Sequence, residues 1–329
     1  MLGLKLMFWL AVILVAGTVI STQLIVRKVE AKFPPIGDFA VVDGVQMHYL
    51  DIPAGPDAEL EPIIFIHGAS GNARDLFGAL AEKLKGEARM IFVDRPGAGY
   101  SQRGSEENDT LELQVKLIAG LMDQLEIDRA TIVGHSLGGA ITAAMAVLHP
   151  EKVSGLVFLA PATHTWPGGD VTWYYSIVNL PVLGRMFSET LAAPFGKILM
   201  RSAMKGVFKP NKIPSNFLDK AATELVLRPA NFRNNAADVG SLYSFVEKLS
   251  PRYNEISAPT VIIAGDQDDV VSTQIHSMAL NEDIADSRLV ILPKTGHAPA
   301  YSATDQIVEE IKALNQRIIA DDRAVNESQ

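Results

Sequence analysis

Three residue types, far apart in the chain, have the makings of nucleophilic chemistry. Ser136 lies in "ATIVGHSLGG" between Gly134 and Gly138, where an apolar run ends and a helical pattern begins. Glycines so placed permit a tight strand-to-helix turn in which backbone packs against backbone, and the turn lifts the hydroxyl clear of the sheet. The helix N-terminus next to it offers N–H groups and the positive end of its dipole to an anion. A serine hydroxyl alone is a weak nucleophile, so a base and an acid to orient that base must accompany it. His297, in "LPKTGHAPAY" just past the last apolar run, suits the base. The acid is expected at a strand end between the two, and "VIIAGDQDDVV" offers Asp266, Asp268 and Asp269. Asp268, three residues after Gly265, has room to turn back toward a histidine. Asp266 reads as a former of the turn and Asp269 as the alternative acid.

The other six histidines compete less well. His135 sits on the turn itself, where its ring is expected to point away; His48 and His149 fall in structural segments, His164 enters a long insertion, and His276 lies in mid-helix. His67 reads as a turn former. A developing oxyanion needs two backbone donors, and the N–H of Leu137, directly after the serine, is one. The loop "IIFIHGASGN" supplies the second: Gly68 allows the turn, Ala69 N–H can face the site, and Ser70 is the next choice. "FVDRPGAGYS" is also turn chemistry at a strand end. Its glycines lack the spacing of a dinucleotide loop and the Lys-Ser/Thr of a phosphate loop.

Elements must position these residues. Apolar or β-branched runs occur at 39–42, 47–52, 63–67, 90–94, 130–134, 155–160, 260–264 and 288–292, with helical patterns at 72–84, 111–125, 137–148, 273–284 and 304–319. Strands alternating with helices predict a mostly parallel, doubly wound eight-stranded sheet covered on both faces. The rhythm breaks between Ala162 and Thr260, too long a stretch for a loop, where proline-separated helical pieces predict an inserted helical subdomain. The expected division is 1–32 as an N-terminal transmembrane anchor, 33–162 with 256–329 as the core, and 163–255 as a helical cap insertion. The tail after Ile319 is expected to fray.

The 329 residues include no cysteine, which excludes thiol catalysis, disulfides and zinc–thiolate sites. A net charge of −9 without a basic run argues against nucleic acid as a partner. Leu6–Val26 carries no charge over about 21 residues, roughly the length of a transmembrane helix. A cleaved signal peptide has an apolar region of about 7–15 residues and a small-residue cleavage site, which this segment lacks, so the expectation is an uncleaved single-pass anchor. Lys5 before it and Arg27, Lys28 and Lys32 after it favour a cytoplasmic main domain by a margin too narrow to fix the side. "KFPPIGDF" reads as a stiff linker.

With "HGASGN", "DRPGAGYS", "GHSLGG", "GDQD" and the Gly296–His297 pair in this order, the sequence from about Phe39 to Ile319 resembles the α/β-hydrolase superfamily, its single-cap branch of esterases, lipases, carbon–carbon bond hydrolases, dehalogenases and haloperoxidases. The resemblance implies Ser136 as nucleophile, Asp268 as acid, His297 as base and a cap near residues 163–255. Dehalogenases and epoxide hydrolases of that fold carry Asp where Ser136 stands, so their activities are not expected. The acid position that some relatives use after strand six is vacant in "FLAPATH", and the HGGG loop of one lipase branch is absent. No metal or organic cofactor is implied. Trp166, Trp173, Tyr174, Tyr175, Phe187, Phe195, Phe208 and Phe217, with Met186, Met200 and Met204, predict an apolar pocket, although at least half should simply hold cap to core. Arg185, Arg201, Arg228 and Arg233 are candidates to bind a carboxylate. The expected partner is a small hydrophobic ester, with a carbon–carbon bond, lactone or amide as alternative and a non-catalytic scaffold as the rival from another class. Oligomeric state is left open.

Overall fold

The computed structural model describes residues 2–104, 110–169 and 171–327. Its centre is an eight-stranded sheet of β1 (Asp38–Val42), β2 (Val45–Ile52), β3 (Ile63–Ile66), β4 (Met90–Val93), β5 (Ala130–His135), β6 (Val153–Leu159), β7 (Thr260–Gly265) and β8 (Ser287–Leu292). The strand order is β1-β2-β4-β3-β5-β6-β7-β8; β2 runs antiparallel to both its neighbours and every other pairing is parallel. Strands β3 to β7 are buried along their whole length apart from His135, as continuous apolar runs demand when helices cover both faces.

Helix α1 (Leu2–Lys32) precedes the sheet. On the sheet's faces lie α2 (Ala73–Leu84), α3 (Leu111–Gln124) and α4 (Leu137–Leu148). The insertion after β6 contains helices and turns and no strand among its described residues. It contains α5 (Trp173–Val178), α6 (Pro181–Phe187), α7 (Ala193–Phe208), α8 (Phe217–Lys220) and α9 (Pro229–Leu249), with a π turn at Ser188–Ala192 and a 3-10 turn at Thr223–Leu227. After β7 come α10 (Ala279–Asp283), α11 (Pro299–Ser302) and α12 (Thr304–Glu327). Helices α3 and α4 join the core on one face of the sheet and α2 and α12 the core on the other.

Two expectations change. The helix read at 273–284 begins as a π turn at Gln274–Met278 before α10. The segment expected to fray after Ile319 continues as α12 to Glu327, while Ser328 and Gln329 lie outside the described residues.

Helix α1 also makes contacts with the rest of the chain. Its first sixteen described residues are exposed, but Thr22 and Val29 are buried, and Ile25 and Val29 pack with Phe33 on Ala222 and Leu225. Thr22 Oγ1 donates to Thr190 O, Lys32 pairs with Asp219 at 2.5 Å, and Glu30 pairs with Arg228 at 3.0 Å. The linker is held as well, because Tyr100 donates its hydroxyl proton to Phe33 O at 2.5 Å. The buried Thr22, Val29 and Phe33, with the partly exposed ion pairs of Glu30 and Lys32, seat the second half of α1 on the cap.

Candidate active site

Chain order places the site. From β3 the chain moves outward to β4 and then crosses back to β5 on the other side of β3, so the C-terminal ends of β3 and β5 flank the point where the winding reverses. A crevice opens at such a reversal. Ile66 is in register with Gly134, which brings the 67–70 loop level with His135 and Ser136.

Ser136 has φ 54° and ψ −120°, a backbone state that costs a non-glycine residue roughly 1–3 kcal/mol. Neighbouring strands and the helix hold it there. Its N–H donates to Leu159 O at 3.0 Å, and its carbonyl accepts from Gly139 N at 2.8 Å and Ala162 N at 3.0 Å. The glycines on either side leave no room for a side chain. A Cβ on Gly134 would meet Thr142 Oγ1 at 2.1 Å, and one on Gly138 would meet Ile66 O at 2.3 Å.

The structure brings Ser136, His297 and Asp268 into one hydrogen-bonded series. Ser136 Oγ is 2.9 Å from His297 Nε2, and His297 Nδ1 is 2.7 Å from Asp268 Oδ2. The other carboxylate oxygen of Asp268 accepts from Val270 N at 2.8 Å and Val271 N at 2.9 Å. Burial pushes the Asp268 carboxyl upward, but the hydrogen bond and charge of His297, with those two amides, outweigh it and leave the group below its ordinary value. It therefore stays ionised and holds Nδ1 as the protonated nitrogen, so that Nε2 faces the serine with its lone pair. Asp269 points elsewhere, to Lys209 at 2.8 Å on the surface. Asp266 accepts from Thr295 N at 3.3 Å and so ties the acid loop to the histidine loop.

Of the two amides expected to face an oxyanion, neither Leu137 N–H nor Ala69 N–H meets an acceptor among the described residues. Ser70 N–H, the second choice, is engaged by Asn235 Oδ1 at 2.6 Å. His67 is a turn former, as its sequence context indicates: it bonds Gly68 O at 2.8 Å and accepts from Arg95 N at 3.1 Å. Burial, with the Arg95 charge beside it, pushes its pKa down to about 3 and keeps it neutral. The "DRPGAGYS" loop braces this one. Buried Asp94 accepts from Ala73 N at 2.6 Å and Tyr100 N at 2.7 Å. Arg95 donates to His67 O at 3.0 Å and to Asp238 of α9 at 2.6 Å, joining core to cap.

Sequence reasoning missed four positions. His135 does not point away: its Nε2 lies 2.8 Å from His297 O, and the two rings are 5.0 Å apart. Burial and the neighbouring His297 charge bring its pKa down to about 4, so it packs as a neutral ring. The space above a strongly bent turn is decided by the neighbouring loop, which explains the error. The cap grips the histidine loop directly, with His297 N donating to Val207 O at 3.1 Å and Gly296 N to Asn211 Oδ1 at 3.1 Å. No local signal marks Val207 or Asn211. Asp75, in the first turn of α2, reads locally as an acid placed to suit a helix N-terminus. It lines the cavity instead, and burial raises its pKa to about 6.

Ser136 and His297 open into a cavity of about 310 Å³ between the strand ends and the cap. The cap contributes Tyr174, Tyr175, Met200, Met204, Phe208 and Phe217 from the apolar set. Trp166 packs on Tyr243 and Phe187 on Phe232, while Trp173, Met186 and Phe195 face outward. None of the four arginines considered for a carboxylate lines the cavity. Arg228 is held by Glu30 and Gly99 O, Arg233 by Ser188 and Glu189, and Arg185 and Arg201 are exposed.

Residues 61–304 match the family described as alpha/beta hydrolase fold. A 2-hydroxymuconate semialdehyde hydrolase of Pseudomonas sp. (strain CF600) is 26% identical over 269 residues, covering 80% of this chain and 88% of the relative. Lipase 3 of Moraxella sp. (strain TA144) is 24% identical over 305 residues, covering 89% of each chain. Among solved structures, a putative lipase from Acinetobacter baumannii AYE superposes with a TM-score of 0.68 at 19% identity, over 91% of this chain and 97% of the other.

Proposed function

Because the chain belongs to the alpha/beta hydrolase fold family, we propose that it is a serine hydrolase that cleaves a hydrophobic carboxylic ester through an acyl-enzyme. The observation that carries this reading is the Ser136–His297–Asp268 series at the floor of a cavity walled by apolar cap side chains. Ser136 Oγ attacks the ester carbonyl while His297 Nε2 takes its proton. The Leu137 and Ala69 amides receive the oxyanion, and ionised Asp268 stabilises the imidazolium. His297 then gives its proton to the departing alkoxide. It next deprotonates a water that attacks the acyl carbonyl, and collapse frees the acid and returns the proton to Ser136. No Lys or Arg lines the cavity among the described residues, which favours an uncharged substrate over a carboxylate-bearing one. The volume sits at the small end of the usual range of about 300–1,000 Å³, which favours one modest acyl or alcohol group.

A fluorophosphonate probe on the full-length protein tests the reading: the native chain labels at Ser136, and Ser136→Ala does not. A panel of esters, lactones and diketones then decides the bond. The relatives include both a lipase and a semialdehyde hydrolase, so preference for a carbon–carbon bond over every ester would displace the ester reading.

The same proposal places the chain at a membrane, with α1 as an uncleaved anchor. Support comes from its exposed apolar first half and from the seating of its second half on the cap, since a segment destined for removal has no reason to be built into the fold. Retention in the membrane through carbonate washing, with the α1 residues still present by mass spectrometry, is the expected result. A soluble mature protein that begins after residue 20 would overturn it.

A further inference from the structure

If α1 crosses a bilayer, the depth at which it meets the cap is constrained. The uncharged segment runs from Leu6 to Val26, about 30 Å of helix, which matches a hydrocarbon core. Contact with the cap already begins within that segment: Thr18 and Thr22 are shielded, and Thr22 bonds Thr190 O in the Ser188–Ala192 turn. From Thr18 to Val26 the overlap is roughly 12 Å along the axis, close to the roughly 5–10 Å to which interfacial helices sink. Whatever flanks that turn must therefore lie at the membrane surface.

The flanking helices carry the matching chemistry. Before the turn, α6 exposes Val182 (70%), Leu183 (52%) and Met186 (56%); after it, α7 exposes Phe195 (55%), Ile198 (75%) and Leu199 (59%). Each set falls on one helix face by its spacing. Large apolar side chains clustered in this way have no reason to face water. The charge also changes sign. Between residues 181 and 212 there are six Lys and Arg against Glu189 alone, in a chain whose net charge is −9; Lys197 pairs with Glu224 and Lys209 with Asp269, so the basic excess rests on Arg185, Arg201, Lys205 and Lys212. A basic and apolar face suits anionic headgroups over acyl chains. The opposite side of α7 bears Met200, Ala203, Met204 and Val207, which line the cavity above Ser136. One helix thus separates the cavity from the exposed apolar face.

We propose that the outer faces of α6 and α7 lie in the interface of an anionic bilayer beside α1, so that the cavity draws its hydrophobic ester from the lipid phase past α7. This rests on the anchor reading above and adds a second, independent membrane contact. The absence of cysteine allows a direct test in the full-length chain. Single cysteines at Ala11→Cys in α1, Ile198→Cys in α7 and Lys116→Cys on exposed α3 are labelled with an environment-sensitive fluorophore. The protein is then placed in nanodiscs of phosphatidylcholine and phosphatidylglycerol containing spin-labelled lipid. Quenching at positions 11 and 198 but not 116 supports the proposal. Quenching at 11 with 198 behaving like 116 overturns it and leaves the anchor standing; no quenching at 11 removes the anchor reading and this proposal with it. A kinetic arm uses Ile198→Glu with Leu199→Glu, neither of which lines the cavity. KM for a membrane-partitioned ester should rise at least about ten-fold, since the loss of even one of the two buried apolar side chains carries that effect, with turnover of a water-soluble ester unchanged. An equal effect on both esters would overturn the proposal.

Discussion

On the floor of the cavity, Ser136, His297 and Asp268 are held by groups at the ends of buried strands, each with a short hydrogen bond and little freedom. On the roof, α7 meets the cavity with Met200 and Met204, side chains that adapt to what they touch, and turns Phe195 and Ile198 outward. The floor holds its atoms closely, as the proton transfer between Oγ and Nε2 in the proposed function would require. The roof sets only shape and polarity, which tolerate replacement. The two parts meet along α9, through the buried Arg95–Asp238 pair, the Ser70–Asn235 bond and the bonds of Arg228 and Asn231 to Gly99 O, and at the histidine loop through Val207 O and Asn211. Under the proposed function, the difference assigns reaction type to the floor and substrate choice to the roof.

The largest effect should come from the floor. Ser136→Ala is expected to lower ester turnover by about 10⁴-fold or more with an unchanged unfolding midpoint, because the three side chains act as a unit. Near-normal turnover by a folded variant would end the assignment. Asp268→Asn should cost about 10³–10⁴-fold by misdirecting the His297 tautomer, while Asp269→Asn, on the surface with Lys209, should cost less than about two-fold. The reverse ranking, measured as kcat, would break the division between floor and surface.

The join comes next. Asp238→Ala strands the Arg95 guanidinium, which is 1% exposed, and should destabilise the fold by about 3–5 kcal/mol in a denaturant titration. Loss of less than about 1 kcal/mol would mean that the other bonds between core and cap, such as Ser70–Asn235 and Asn231–Gly99 O, carry the join instead.

Acid should also unsettle the floor. Burial holds His67 near pKa 3 and His135 and His276 near 4, all below the usual 6.5, so the unfolded chain takes up protons that the folded chain refuses. Stability is whole above about pH 6.5 and is lost as pH falls toward 4. Asp75, raised to about 6, opposes this, since its protonation between about pH 6 and 4 favours the fold, but it is one group against three. Asp268 and Asp94, both held low, add losses only below the ordinary carboxylate range. The urea midpoint should therefore drop between pH 7 and pH 5, and a level profile would contradict this accounting. The smallest effect belongs to the roof's outer face: Val182→Ser in detergent should change stability by no more than about 0.5 kcal/mol.

Local pattern alone determined the strands, the strand–turn–helix around Ser136 and the strand-free, helix-bearing insertion. Apolar runs and glycine spacing act over a few residues, and the relevant steric clashes, such as Gly138 against Ile66 O, are met whatever lies farther away. The eight-strand reading and the choice of Ser136, His297 and Asp268 as partners needed nothing beyond such runs, the loops that end them and the motif resemblance. Only the tertiary structure decided how distant loops face one another. It laid His135 against His297, turned Asp269 to Lys209, set Arg95 on Asp238, and seated the second half of α1 on the cap. It also gave α7 two apolar faces with different destinations, one in the cavity and one outside. Periodicity marks a helix face as apolar, but what covers that face depends on neighbours brought together by packing, and that information is spread over the whole chain.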